Sequence, residues 1–198
     1  MQSHTIAARL TTHGYVTVED WLPAALLAGL AEGCDAHEEM KFSPAAVGRN
    51  GDRQHLASVR SDVISWLDAS KPSEQSFLRM MDELRQSLNR QLYLGLFDYE
   101  CHYSIYPQGA FYARHRDNLR GPTNRILSTV VYLHSQWRDG DGGELVLYRG
   151  EALAESARIL PNPGMMVIFL SEDFPHEVLP AVRRRQSIAG WFRGRAAS

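Results

Sequence analysis

A chain of 198 residues amounts to one domain of roughly 150 residues with some elaboration. With 44% hydrophobic and 22% charged residues, 15 Gly and 9 Pro, it is neither collagen-like nor disordered in composition. Its 21 Lys+Arg against 23 Asp+Glu give a net charge of −2, so no basic field draws it to phosphate backbones, which argues against nucleic acid as a partner. Cys34 and Cys101 form no C-x-x-C, so neither a disulfide framework nor a thiolate zinc site is expected. The first residues, MQSHTIAARLTTHG, hold no unbroken apolar run, and no stretch approaches 18 apolar residues. The expectation is a soluble, cytoplasmic protein with no membrane partner.

In chain order, Tyr15, Val16, Val18 and Trp21 alternate with polar residues and predict a strand within 14–22. Leu22, Leu26, Leu27, Leu30 and Ala31 then recur at helical spacing, with Pro23 tolerated in a first turn, and predict a helix from 22 to about 40. The turn formers Ser43-Pro44, Gly48, Asn50-Gly51 and Asp52 make 42–60 a long loop or hairpin, and long loops in compact domains are often functional. Ser73 is expected to cap a second helix, whose stripe of Phe77, Leu78, Met81, Leu84, Leu88 and Leu92 faces a core. After residue 95 the pattern changes to strand-like runs at 99–106, 110–115, 126–133, 144–148, 165–170 and 186–192. The expected fold class is mainly β with N-terminal helices (α+β). It is a single domain, 1–198, in which 1–95 support a β core at 96–198.

Two segments carry chemistry: Tyr112-Ala-Arg-His115-Arg-Asp117 and Asp173-Phe-Pro-His176. On a strand, i and i+2 point the same way, so His115 and Asp117 would share one ion. His176, 59 residues beyond Asp117, completes a two-histidine, one-carboxylate set, which leaves three positions open and is the arrangement of non-haem Fe(II) sites. Nine positions after His176 lies Arg185. An inward arginine leaves a charge unpaired unless an anion meets it, and a dicarboxylic co-substrate supplies that anion. Arg183 and Arg184 flank it, so strand register decides which of the three faces inward.

With these blocks, and with Tyr106-Pro107, Tyr132-Leu133, Gly142-Gly143-Glu-Leu145, Pro175-His176-Glu-Val-Leu-Pro180 and Arg60-Ser-Asp62-Val-Ile-Ser-Trp66, the chain resembles the Fe(II)- and 2-oxoglutarate-dependent dioxygenases. The similarity is closest to the prolyl hydroxylases that modify hypoxia-inducible factor and to their bacterial relatives. The resemblance implies a double-stranded β-helix (jelly-roll, cupin-like) core and prolyl 4-hydroxylation of a protein, coupled to conversion of 2-oxoglutarate to succinate. Elongation factor Tu is an implied target. It implies Fe(II), 2-oxoglutarate and O2, with ascorbate as a stimulant, and a partner protein that contains the target proline. At matching positions, His115, Asp117 and His176 resemble the iron ligands, and Arg185 and Tyr132 the groups that hold the far carboxylate of 2-oxoglutarate. Tyr106, Leu145 and Trp191 fall where the family lines that pocket, although core packing alone would also place them. Arg125, Arg60 and Asp62 fall on the substrate side, behind the covering loop at 42–60, while core packing is the simpler reading of Asp62 and Trp66. His134 and Ala189 depart from the asparagine and threonine of the animal enzymes. The remaining histidines, His4, His13, His37, His55, His102 and His134, read as surface or satisfied residues. An oxygenase of nucleic acid or of a small molecule, and a cupin-like metal sensor without turnover, are the alternatives.

Overall fold

A computed structural model of the protein describes residues 2–38, 43–44, 59–117 and 124–195. Among the described residues, three helices, α1 (Gln2–His13), α2 (Ala24–Glu38) and α3 (Pro72–Leu92), accompany eleven strands. In chain order these are β1 (Tyr15–Val18), β2 (Ser43–Pro44), β3 (Val63–Trp66), β4 (Asp98–Tyr106), β5 (Tyr112–His115) and β6 (Arg125–Tyr132), then β7 (Leu145–Arg149), β8 (Ala154–Ile159), β9 (Met166–Leu170), β10 (His176–Val178) and β11 (Arg185–Arg193). A major sheet runs β1-β9-β6-β11-β4-β3-β2 and a minor one β5-β10-β7-β8. Every strand pairing is antiparallel.

Two apolar cores follow from this layering. On one face of the major sheet, Cys101, Tyr103 and Ile105 of β4 meet Phe77, Met81, Leu84 and Leu88 of α3 and the buried Ile6 and Leu10 of α1. On the other, Tyr106, Tyr132, Val167 and Phe169 meet Leu145, Leu147 and Val178 of the minor sheet. A sheet covered on both sides needs strands that are apolar on both faces, which is why 166–170 reads MVIFL. The resulting α+β architecture, two facing antiparallel sheets backed by helices, is the one expected.

The element α1 has no counterpart among the expected helices. Its buried face is only Ile6, Ala7 and Leu10, too short a stripe to register as periodic. Ser73 is not a cap. Lys71 is the N-cap, with extended backbone and no side-chain hydrogen bond, and Pro72 starts the helix because its ring presets the helical φ. The Ser73 hydroxyl instead donates to the Gly29 carbonyl of α2. The loop expected over 42–60 lies outside the described residues except at its ends, where Ser43 and Pro44 pair with Ile64 and Val63. No helix among the described residues is long and apolar enough to cross a membrane.

Phe77 on α3 is fully buried against the major sheet. Phe77→Ala is expected to lower unfolding free energy by about 3–5 kcal/mol, read as a shifted urea midpoint by circular dichroism.

Candidate metal centre

His115 ends β5 and His176 opens β10, and the two residues are direct cross-strand partners. Asp117 lies past the end of β5, in a bend, so the strand alternation expected to align it with His115 does not operate. The chain turn brings it in instead. One ligand atom from each of His115, Asp117 and His176 lies within 4.8 Å of the other two. His115 Nε2 is 3.7 Å from Asp117 Oδ1, and His176 Nε2 is 3.6 Å from Asp117 Oδ2.

Each imidazole is held by its other nitrogen. His115 Nδ1 meets the Ala113 carbonyl at 2.9 Å and His176 Nδ1 meets the Phe174 carbonyl at 3.1 Å. A carbonyl only accepts, so Nδ1 carries the proton and the Nε2 lone pair of a neutral ring points into the cluster. Tyr112 stacks on His115 with centroids 3.5 Å apart, and Phe169 meets His176 edge-on at 4.8 Å. Burial, reinforced by His176, pushes His115 well below the usual histidine value against the opposing pull of Asp117. For Asp117, burial would raise the pKa, but His176, His115 and the Ser128 hydroxyl outweigh it and hold the carboxyl below its ordinary range. Two ring nitrogens and one carboxylate oxygen, with open sides, are a donor set suited to a divalent first-row metal.

Behind the cluster, Arg185 opens β11 opposite Tyr106 at the end of β4. It is 1% exposed. Its guanidinium lies 5.0 Å from the Tyr106 ring centroid and 4.9 Å from that of Tyr132, and Nη1 donates to Ser187 Oγ at 3.3 Å. Arg185 forms no ion pair among the described residues, and neither its Nε nor the Tyr132 hydroxyl has a partner at hydrogen-bonding geometry. Register is therefore settled: Arg183 and Arg184 face outward to Asp141 at 3.5 Å and Asp35 at 2.9 Å. Burial raises the Tyr132 phenol, with Arg185 offsetting only part, so at neutral pH it remains a donor. A buried cation beside phenolic O–H groups is a receptor for a carboxylate.

Around this chamber, Leu145 is buried between the sheets. Trp191 is buried too, with the Arg125 guanidinium 3.6 Å over its ring. Its indole N–H lacks an acceptor at hydrogen-bonding geometry but lies close enough to Asp117 to help hold that carboxyl down. Arg125 is paired with Glu100 at 2.8 Å, and Glu100 also meets Arg193 at 2.9 Å. Arg60 reaches Asp62 through two hydrogen bonds of 2.5 and 2.9 Å and covers the Tyr112 ring at 4.5 Å. Burial would lower Arg60's pKa, yet Asp62 more than offsets it.

Asp62 is buried, but Trp66, expected in the core, is 45% exposed. As the last residue of β3 it sits edge-on to His102 at 5.1 Å, at the rim. His102 itself is buried and satisfied, its Nδ1 meeting Ser104 Oγ and the Tyr103 carbonyl, both at 3.1 Å. His134 is also buried, with Nε2 2.5 Å from the Pro161 carbonyl. The sequence reading also passed over Ser128, whose hydroxyl donates to Asp117 Oδ2 at 2.6 Å. Strand alternation offered a signal for it, since Ser128, Val130 and Tyr132 share one face of β6.

Residues 101–193 match the model of the 2OG-Fe(II) oxygenase superfamily. A Pseudomonas putida prolyl-4-hydroxylase structure is 38% identical, covers 99% of this chain and 100% of its own, and superposes with a TM-score of 0.88. This chain belongs to the 2OG-Fe(II) oxygenase superfamily. A Trichoplax adhaerens prolyl hydroxylase, solved with a peptide fragment of the hypoxia-inducible factor oxygen degradation domain, is 26% identical over 97% of this chain and 89% of its own, with a TM-score of 0.83. The hypoxia-inducible factor prolyl hydroxylase of Caenorhabditis elegans is 29% identical over 168 residues, 79% of this chain but only 23% of that protein. The chain thus spans about a quarter of that curated relative's length. Superfamily members have the double-stranded β-helix fold and use Fe(II), 2-oxoglutarate and O2, and the His-Asp-His cluster supplies donors of the kind such iron needs.

Burial holds His102 down to about 4 from 6.5, with Arg60 and Arg125 adding to it and Asp62 opposing. The unfolded chain takes up this proton below about 6.5, whereas the folded chain does so only near 4. Stability therefore falls as pH drops across that window, by about 3 kcal/mol from this residue. His102→Gln is expected to flatten that part of the stability–pH curve in urea titrations.

Proposed function

We propose that the chain is a peptidyl-prolyl hydroxylase in which His115, Asp117 and His176 hold Fe(II) and Arg185 with Tyr132 receives the far carboxylate of 2-oxoglutarate. The observation that carries this reading is a fully buried arginine, without a carboxylate partner among the described residues, set behind a His-Asp-His cluster. When bound, iron with 2-oxoglutarate and O2 supplies oxidative decarboxylation to succinate and CO2 together with insertion of one oxygen into an unactivated C–H bond.

The chain's own residues perform the rest. The Nδ1–H bonds to Ala113 and Phe174 fix both imidazoles with Nε2 turned inward. Arg185 and the protonated Tyr132 orient the co-substrate through charge-assisted hydrogen bonds. Tyr106, Leu145 and Trp191 exclude water from the chamber, which strengthens those bonds. The exposed ring of Trp66 beside His102 offers a flat group suited to a proline ring on an extended segment. The peptide-bound Trichoplax adhaerens relative supports a protein substrate, and elongation factor Tu is the first candidate.

Protein mixed with Fe(II), 2-oxoglutarate, O2 and proline peptides is expected to release succinate in step with a +16 Da product. Arg185→Ala is expected to raise the KM for 2-oxoglutarate by about 10- to 100-fold. Full turnover in His115→Ala would refute the ligand assignment, and metal uptake without succinate would favour a sensor. Asp62→Asn, which weakens the hold on Arg60, is expected to raise the KM for peptide and leave that for 2-oxoglutarate unchanged, measured by the same assay with each substrate varied.

A further inference from the structure

Asp117 has an anchoring problem that the histidines do not share. His115 and His176 sit on paired strands, while Asp117 hangs in the bend beyond β5, with no ladder to fix its side chain. A hydroxyl pair on the opposite sheet supplies the anchor. Ser128 Oγ lies 2.6 Å from Asp117 Oδ2 and 2.8 Å from Ser171 Oγ. Ser128 and Ser171 are 1% and 0% exposed. Ser128 belongs to β6, and Ser171 follows β9, the neighbouring strand, where its N–H bonds the Ile126 carbonyl at 3.0 Å.

Proton counting fixes the direction of this chain. An ionised carboxylate only accepts, so the single Ser128 proton goes to Asp117. The 2.8 Å contact must then be donated by Ser171, giving Ser171→Ser128→Asp117 with both dipoles aimed at the carboxylate. Bonds in such a series polarise one another. Oδ2 thus receives a charge-assisted hydrogen bond from Ser128, and the Trp191 indole N–H lies close to the same carboxyl.

We propose that Ser128 and Ser171 are positioning residues that set the rotation and donor strength of the Asp117 carboxylate toward a divalent cation. The proposal rests on the reading of His115, Asp117 and His176 as the metal centre. It extends that reading to two residues on the other sheet that touch neither metal nor substrate.

The test uses the full chain with Mn(II) and Co(II) as probes, without 2-oxoglutarate or turnover. Ser128→Ala is expected to weaken Mn(II) binding about tenfold and to change the Co(II) d–d absorption spectrum. Ser171→Ala shifts both in the same direction by less, and Ser128→Thr, which keeps the hydroxyl, restores both. Metal-free thermal melts identify variants that fail to fold, and Ser171→Ala carries the test if Ser128→Ala is one of them. Parent affinity and parent Co(II) spectrum in the folded alanine variants would overturn the proposal. So would a lowered melting temperature with unchanged spectrum, or failure of threonine to restore the signal. Asp117→Ala separates the two levels: if it abolishes Mn(II) binding while the serine variants match the parent, only the relay is wrong. If Asp117→Ala binds Mn(II) like the parent, the metal-centre reading fails and the relay with it.

Discussion

A guanidinium sealed inside the protein, with no carboxylate paired to it among the described residues, is the constraint around which the rest of this fold is arranged. Taking such a charge out of water costs several kcal/mol unless something compensates. Here the compensation within the chain is partial: two aromatic faces and one serine hydroxyl. Arg183 and Arg184 have carboxylate neighbours at the surface, so the chain was not short of acids.

The layering makes that arrangement tolerable. The helical core on one side of the major sheet gives the chain its apolar burial, so the opposite face can hold an arginine, serines, a histidine and phenols. The minor sheet then closes over that polar row with Leu145, Leu147 and Val178 and brings the His115–His176 pair to its edge. Stability and chemistry thus occupy opposite faces of β4, β6 and β11, which is why Phe77 can be argued as core alone and Arg185 as site alone.

Much of this was legible in the residues. The strands β4, β6, β9 and β11 are long and strongly patterned, and α3 has a five-residue buried stripe. The H-x-D and distal histidine were legible because metal donors are few and their spacing is informative. What was not legible depends on tertiary partners. The short α1 is held by a face of three residues, and β10, with three residues, is too brief to show alternation. Ser73 looked like a cap because serine commonly is one, but Pro72 starts the helix one residue earlier and the Ser73 hydroxyl is taken by the Gly29 carbonyl. Ser128 shares a face of β6 with Tyr132, but alternation names a face and not a partner, and only the register of β4 and β6 against their neighbours brings His102 and Ser128 to the site. Trp66 failed in the opposite sense, since a large aromatic is a core residue by default and its exposure depends on where β3 ends.

The mouth has a feature whose meaning lies in what approaches it. Arg60 and Arg125 beside the cluster are already matched by Asp62 and Glu100 at 2.5 and 2.8 Å, and Arg193, which shares Glu100, is matched by Asp98 at 2.5 Å. A cation answered by an anion at that range leaves little field beyond a Debye length, so these three pairs contribute little long-range attraction to encounter. Their influence is confined to whatever is already in contact with them.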